Sequence, residues 1–316
     1  RWFDDNTGNL GIANADDYVR FARDEIPRYA EIYSFIKEAE AELKPGFEPL
    51  YFNAVRKFSF QSMVLLSVTG VSDTTTEWQK KILLVARFVD LLLTTRTIEG
   101  KENNYDNLKD ISFQLTKDVR SKSSTDLLAY VRTEWAKYEP LLPDLAKLSY
   151  AKADKSDLLY LLARIAAHLE DAFALTNRVG FATFWQRDRG RKTFDIEHLL
   201  KDAFDATALP AAHGFTDAKD YADTRNLIGA LALLPRSRNR SLQDKAYRDK
   251  LVAYSTENVL AQSLCEALYA SNPNVAAYVA ANPAAGLAPI ADFGKSDISV
   301  RAALYVFVAK QAWQAP

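Results

Sequence analysis

Apolar residues recur at helical spacing from about residue 14 to residue 178, and this pattern limits the fold more than any other feature of the chain. Asn14, a favoured helix cap, opens the first predicted helix, in which Pro27 should introduce a kink. The further helices of this part are predicted over about 48–69, 75–97, 107–121, 124–138 and 156–175. Turn-forming residues separate them and no fixed-period repeat is present, which favours a bundle-like helical part over a solenoid.

The C-terminal part follows a polar, basic segment at residues 187–192 and returns to helical patterning after Asn239. Its predicted helices cover about 241–254, 257–270, 275–280 and 297–313. We therefore predict a mainly α chain with two domains, a helical domain at residues 1–185 and a second domain at residues 186–316.

Two short segments of the second domain have strand character. In the first, residues 194–198, alternation places Asp195 and Glu197 on one strand face, and His198 follows at the strand end. The second, residues 231–234, is apolar and precedes a predicted turn that carries Asn239, then a basic helix. The two segments predict one small β-hairpin in an otherwise helical chain.

These polar residues have the chemistry of a metal-dependent hydrolytic site. Carboxylate and amide oxygens are the ligands of hard cations such as Mg²⁺ or Mn²⁺, and a neutral imidazole can take a proton from water. Glu197 and Asn239 are the candidate metal ligands, with Asp195 as a ligand or an outer neighbour. His198 is the candidate general base, and Asn239 is the second candidate catalytic residue.

Each of these residues also has a structural interpretation. A single His in an apolar segment is commonly a hydrogen-bonded structural residue, and acidic residues on an exposed strand are commonly solvated. Asn239 is close to the predicted helix start at Ser241 and could serve as its cap. The catalytic interpretation therefore depends on the residues occurring together in this order.

Asp195-Ile-Glu-His-Leu-Leu200, followed by Leu231-Ala-Leu-Leu234 and then Asn239, resembles the HNH domain of GmrSD-type and SspE-type restriction nucleases. The resemblance covers roughly residues 185–255 and includes the segment from Asn239 to Lys250. It implies a small ββα-metal (HNH) nuclease unit embedded in further helices, with Mg²⁺ or Mn²⁺ as cofactor. The chain departs from the family where Lys201 stands near a usual Pro and where Gly229-Ala230-Leu231 replaces Gly-Asn-Leu, while Asn226 lies nearby at a different spacing.

Basic residues crowd the segments around the candidate site. Such residues usually belong to a solvated helix surface, but beside a phosphodiesterase site they favour contact with DNA phosphates. The segment at 187–192 extends this patch or forms a linker. The predicted DNA-binding residues are Arg236, Arg238, Arg240, Lys245, Arg248, Lys250, Arg189 and Arg191.

Composition excludes several other classes. The 316 residues carry a net charge of −1, so a basic DNA-binding surface has to be local. One cysteine, Cys265, excludes an internal disulfide and a multi-cysteine zinc site. No signal peptide or membrane-spanning run is visible, which predicts a cytoplasmic protein with no membrane partner. The start at Arg1, without Met, predicts a piece of a longer protein.

The leading hypothesis from these patterns is a nicking DNA endonuclease with double-stranded DNA as its partner. The resemblance implies a role in bacterial anti-phage restriction of modified or marked DNA, including phosphorothioate systems, and an upstream sensor or NTPase domain in the same parent chain. Two alternatives remain open. One is a helical DNA-binding or interaction module whose HNH-like site has decayed, and the other is an RNA nuclease that uses the same site.

Overall fold

The computed structural model describes residues 2–175, 178–210, 212–242 and 245–316, and it is mainly helical with two small two-stranded sheets. The chain forms two compact units: the first comprises Arg1–Arg96, Lys101–Tyr138 and Ala315–Pro316, and the second comprises Thr97–Gly100 and Glu139–Gln314. The structure therefore divides the chain near residue 138, whereas the sequence suggested a division at 185/186.

The first unit is built from helices, as the apolar periodicity predicts. They are α1 (Trp2–Asp5), α2 (Ala15–Arg20), a π-helical turn (Phe21–Glu25), α3 (Ile26–Ala41), α4 (Glu48–Val55), α5 (Gln61–Ser67), α6 (Thr75–Ile98), α7 (Tyr105–Val119) and α8 (Ser124–Tyr138). Asn14 caps α2, since its side chain accepts from the Asp17 amide. The π-helical turn ends directly before α3, in whose first turn Pro27 lies, so the irregularity expected at this proline takes the form of a widened turn.

The helix predicted over 48–69 is two helices instead of one. Lys57, between α4 and α5, has a φ of 62°, which is outside the range of a right-handed helix. Its amide donates to Ala54 and the amide of Phe58 donates to Asn53, so the backbone turns back on the end of α4. The apolar periodicity continues across this break, and for that reason the sequence pattern did not reveal it.

The second unit begins with a 3₁₀ helix (Glu139–Lys147), followed by α9 (Lys155–Ala172) and α10 (Phe181–Trp185). Helix α9 is buried on most of its faces and packs against strand and helix elements from the C-terminal part of the chain. A helix enclosed in this way belongs to the core that surrounds it. This packing explains why the main segment of the second compact unit begins at residue 139. The unit therefore includes helices that the sequence pattern assigned to the N-terminal domain.

Four short strands follow α10. Strands β1 (Arg187–Asp188) and β2 (Arg191–Lys192) pair across a turn in which Arg189 and Gly190 have φ values of 48° and 77°. Strands β3 (Phe194–His198) and β4 (Leu231–Pro235) are antiparallel, with Phe194 opposite Pro235 and His198 opposite Leu231. The strand character predicted for both segments is confirmed, but residues 199–230 separate the two strands, so they are not the predicted hairpin; the tight hairpin is formed by the basic segment before them.

Seven further helices of the second unit lie after β3 in the described part of the chain. They are α11 (Ala218–Arg225), α12 (Arg236–Leu242), α13 (Tyr247–Tyr254), α14 (Val259–Gln262), α15 (Glu266–Ser271), α16 (Pro273–Ala281) and α17 (Lys295–Ala312). Among them, α12 and α14 pack against the strand pair. Short 3₁₀ turns lie at Ala206–Ala208, Ile228–Ala230 and Pro283–Ala285. Helix α12 starts directly after β4, so the prediction of a turn at Asn239 and a helix from Ser241 is wrong: Asn239 lies inside α12.

Close contact with α17 fixes the approach to β4. A Cβ atom at Gly229 would lie 2.0 Å from the Ile298 carbonyl oxygen, so only glycine permits this packing. The Tyr305 hydroxyl on the same helix donates to the Leu231 carbonyl at 2.7 Å. These contacts hold the start of β4, opposite His198, against the buried face of α17. In the part of the chain that the structure describes, no helix is long and apolar enough to cross a membrane.

Candidate active site

His198, at the end of β3, is held by an amide from another element. Its Nε2 lies 3.1 Å from Oδ1 of Asn226, the residue that directly follows α11. The Asn226 amide nitrogen donates to the Ala222 carbonyl at 2.7 Å, which turns the amide oxygen toward the imidazole. An amide oxygen only accepts, so Nε2 carries the proton and Nδ1 is the basic nitrogen of the neutral ring.

The surroundings of His198 favour the neutral imidazole. Burial, followed by the positive charge of Arg225, lowers the pKa of His198 from the ordinary 6.5 to about 4. The hydrogen bond with Asn226 opposes this effect on the pKa. The Tyr150 ring meets the imidazole edge to face, with 4.6 Å between centroids, and limits its rotation. At neutral pH the ring is therefore uncharged and fixed in position.

An open cleft of about 710 Å³ lies beside the imidazole. Its lining combines oxygen-bearing side chains with two cations, Lys155 and Arg225. Arg225 donates to Asp202 at 2.9 Å, while Lys155 lies 4.7 Å from the centre of the Tyr150 ring. The polar residues of the cleft are Tyr150, Lys155, Glu197, His198, Asp202, Arg225, Asn226 and Asn239.

Glu197 borders this cleft but forms a buried ion pair. Lys250 Nζ lies 2.7 Å from Glu197 Oε1, and the two side chains are 1% and 2% exposed. The Tyr254 hydroxyl donates to the same oxygen at 2.8 Å, and Lys250 also donates to the His198 carbonyl at 2.7 Å. Lys250 thus ties α13 to the end of β3. Its burial is incompatible with the predicted phosphate contact, because DNA cannot reach an ammonium enclosed in this way.

Asn239 connects α12 to β3. Its amide nitrogen donates to the Ile196 carbonyl at 3.0 Å, so the amide oxygen is the atom that remains to bind a ligand. Because Asn239 lies within α12, the alternative role as a helix cap does not apply. The side chain borders the cleft that contains His198 and also the groove next to it.

Asp195 is not brought together with Glu197. It pairs with Arg236 at 3.1 Å, its side chain is 40% exposed, and it borders the neighbouring groove. Strand alternation predicted that Asp195 and Glu197 lie on one face of β3. In the structure, α13 covers Glu197, whereas Asp195 lies near the start of α12. Of the three predicted ligands, Glu197 and Asn239 therefore border the same cleft as His198, whereas Asp195 borders the neighbouring groove.

Several predicted DNA-binding residues are engaged with carboxylates. Arg238 donates to Glu257 at 2.8 Å, and Arg248 forms a two-point pair with Asp292. Arg240 and Lys245 are exposed, as are Arg189 and Arg191 on the β1–β2 hairpin. The basic segment after β4 is thus partly neutralised within the protein, while the hairpin residues face solvent.

Sequence reasoning did not assign site roles to Asn226, Tyr150 and Lys155. Asn226 was visible as an amide just before the apolar strand, but its spacing from that strand gave no reason to connect it to His198. Tyr150 meets His198 across a sequence separation that no periodicity can bridge. Only the fold shows that these residues share a cleft.

The donor atoms beside His198 suit a hard cation better than a softer one. Across the described ranges, no group of three or more His, Cys, Asp and Glu residues is arranged to hold a metal. The cleft instead offers the carboxylates of Glu197 and Asp202 and the amide oxygen of Asn239. Magnesium is commonly held by one or two carboxylates, with water and substrate phosphate completing its shell, so this sparse set fits that ion.

The chain matches no family model, no curated protein and no solved structure.

Proposed function

We propose that this protein is a divalent-metal-dependent DNA endonuclease that nicks one strand, with β3, β4 and α12 as a ββα-metal unit of the HNH kind. The observation that carries the proposal is the His198 imidazole, fixed by Asn226 in a cleft bordered by oxygen ligands and cations. A place in bacterial anti-phage restriction, with an upstream sensor or NTPase domain and a cytoplasmic location, belongs to the same proposal and comes from the resemblance to GmrSD-type and SspE-type nucleases.

The proposed chemistry begins with proton removal from water by His198. Nδ1 accepts the proton, while the Nε2–H bond to Asn226 keeps the ring in the required tautomer. The low pKa of His198 in the substrate-free protein means that this base is deprotonated at neutral pH. A phosphodiester in the cleft adds a negative charge that stabilises the imidazolium and raises its pKa, so proton uptake becomes more favourable when substrate is bound.

Glu197 and Asn239 are the residues that would hold the divalent ion, with Asp202 beside them. When bound, such an ion supplies stabilisation of the negative charge that develops on the phosphate and the leaving oxygen. Lys155 and Arg225 add positive charge at the same cleft. The Tyr150 ring shields one side of the imidazole from solvent.

One observation favours the alternative of a DNA-binding or interaction module without cleavage. The Glu197 carboxylate already has a cation, Lys250, at 2.7 Å, and a carboxylate neutralised in this way has less to offer a metal. The second carboxylate oxygen and Asn239 would then be the main donors. An endonuclease cleaves a DNA strand and an interaction module does not, so a cleavage assay distinguishes the two functions.

The experiment that tests the proposed function is incubation of supercoiled plasmid with the wild-type protein and Mg²⁺ or Mn²⁺. We expect relaxation of the plasmid by single nicks, and we expect EDTA to stop it, because the cleft residues are oxygen donors. Cleavage that persists after thorough chelation would contradict the metal assignment. Binding without cleavage under every metal would support the interaction module, and cleavage of RNA alone would support the RNA nuclease.

Replacing Asn226 by alanine should lower kcat and leave KM nearly unchanged, because the imidazole loses the acceptor that fixes its tautomer. We expect a loss between about 10-fold and the ~100-fold typical of a missing general base. Asn226→Asp keeps an acceptor at Nε2 and should retain more activity than Asn226→Ala. Ring ¹⁵N chemical shifts of His198 report the tautomer directly. An alanine variant with wild-type kcat and an unchanged ring spectrum would remove Asn226 from this role.

A further inference from the structure

A groove of about 500 Å³ adjoins the cleft of His198, and we call it the inner groove. It shares Tyr150, Lys155, Ile196 and Asn239 with the cleft, so the two form one connected depression. Among the described residues that line it, four are cations and one, Asp195, is a carboxylate, which is already paired with Arg236. The cations of the inner groove are Lys155, Arg187, Lys192 and Arg236.

A second groove of about 600 Å³, the outer groove, continues from the first. It shares Lys192 and Arg236 with the inner groove and runs between the β1–β2 hairpin and the start of α12. Of the described residues that line it, five are cations and none is acidic. These five are Arg189, Arg191, Lys192, Arg236 and Arg240.

We infer that the inner and outer grooves form a phosphate track, which holds the backbone of the DNA strand that passes through the His198 cleft. The inference rests on the proposed function for its substrate, but the grooves supply their own evidence. Positive charge is continuous along them, in a protein whose net charge is −1. Concentrated charge of this kind attracts a polyanion, and binding to it releases counterions.

Lys192 is the central residue of the track, since it lines both grooves. Its ammonium lies 3.0 Å from the centre of the Trp185 ring and 3.2 Å from Ser156 Oγ. Burial, followed by the charge of Arg187, lowers the pKa of Lys192 to about 7, against a weaker opposing effect of Asp154 and Asp157. A phosphate in the groove would restore the positive charge on this lysine.

The track differs from the DNA surface that the sequence suggested. Arg238 and Arg248, on the segment after β4, are paired with Glu257 and Asp292 and line neither groove, so they lie outside the track. The sequence pattern placed the β1–β2 hairpin at the margin of the basic surface. In the structure, residues of that hairpin line both grooves, and residues at the start of α9 line the inner groove, so these two elements lie at the centre of the track.

The test compares two charge-matched triple variants of the full chain. The first, Lys155→Gln, Arg187→Gln and Lys192→Gln, removes three cations of the track. The control, Arg178→Gln, Lys219→Gln and Lys310→Gln, removes three exposed cations of the same compact unit that lie outside both grooves. Affinity for one labelled duplex is measured at several salt concentrations between about 50 and 200 mM.

We expect the track variant to bind about tenfold more weakly or worse, and to show a salt slope smaller by about 0.9 for each phosphate that the protein no longer neutralises. The control should keep the wild-type slope and affinity. The charge-preserving variant Lys155→Arg, Arg187→Lys and Lys192→Arg should bind like wild type. Because it changes the same three positions, it shows whether weaker binding comes from the removed charge or from a failure to fold. The exposed single variant Arg187→Gln, which removes one cation of the track, provides the same comparison if the triple variant is unstable.

Equal reductions of affinity in the track and control variants would overturn the inference, because only total charge would then matter. An unchanged salt slope in the track variant would overturn it as well. Failure of the proposed function looks different: wild type would not cleave, yet the track variant would still show a weaker affinity and a smaller slope. Tighter binding of single-stranded RNA than of duplex DNA would overturn the assignment of the track to DNA.

Discussion

Replacing His198 by alanine is expected to lower the rate of plasmid nicking by about 100-fold or more, because that is the usual contribution of a positioned general base. Affinity for DNA should stay close to that of wild type, since phosphate contacts provide most of it. The measurement is single-turnover nicking with saturating protein, together with a binding titration. His213→Ala is the matched control: this histidine accepts from the Phe215 amide in a loop of the same unit and should leave the rate unchanged.

An alanine variant at position 198 that nicks at more than about a tenth of the wild-type rate would rule out this residue as the base. Equal reductions of the rate in both histidine variants would point to a general effect on folding. A decrease in affinity as large as the decrease in rate would instead place His198 in DNA binding. Each outcome is visible in the same two measurements.

The largest effect on stability is expected from Lys250→Met. This change removes the cation from a pair in which both side chains are almost fully buried, and it leaves the Glu197 charge without compensation. We expect the free energy of unfolding to fall by about 3–5 kcal/mol, as for other buried pairs from which one partner is removed. Urea unfolding of the second compact unit, followed by a probe placed within it, measures the change.

Two further variants show whether the buried charge is the cause. The double variant Glu197→Gln, Lys250→Met should recover much of the missing stability, because no charge is left buried. Arg248→Met breaks an ion pair on the same helix in which the arginine side chain is 72% exposed, and it should leave the free energy of unfolding almost unchanged because solvent screens the pair. Similar decreases in stability for Lys250→Met and Arg248→Met would mean that burial does not determine the strength of the pair at Glu197.

The sequence predicted the type of most elements because their patterns are local. Apolar spacing located α6 and α8 closely, and alternation located β3. Breaks inside helical patterns were missed: Lys57 divides one predicted helix, and the segment from Ser241 to Tyr254 contains the end of α12 and a separate α13. A break of this kind depends on backbone conformation at one or two positions, which apolar periodicity does not report.

The candidate site was only partly predictable for a related reason. His198, Glu197 and Asn239 are close in space because β3 and β4 pair and α12 follows directly, and that arrangement follows from the local pattern. The partners of these residues come from elsewhere: Asn226 follows α11, Tyr150 precedes α9, and Lys250 lies on α13. Long-range packing selects them, and a single sequence contains no direct record of it.

The charge pattern was the least informative feature. Six basic residues between Arg236 and Lys250 suggested one DNA-binding helix, yet Lys250 is buried and Arg238 and Arg248 are paired with carboxylates. Lys155 and Lys192, far apart in the sequence, meet in the inner groove. Whether a cation is free to bind phosphate depends on its neighbours in the fold.

Chemical rescue of His198→Ala by free imidazole is a direct test of His198 as the general base. Removing the side chain leaves space in the cleft beside Asn226 and Tyr150, where added imidazole can take the place of the missing base. We predict that imidazole restores single-turnover nicking of the alanine variant in proportion to its concentration, while wild type is unaffected. An alanine variant that nicks at the wild-type rate without imidazole, or one that stays inactive with it while still binding DNA and metal, would contradict the assignment of His198 as the base.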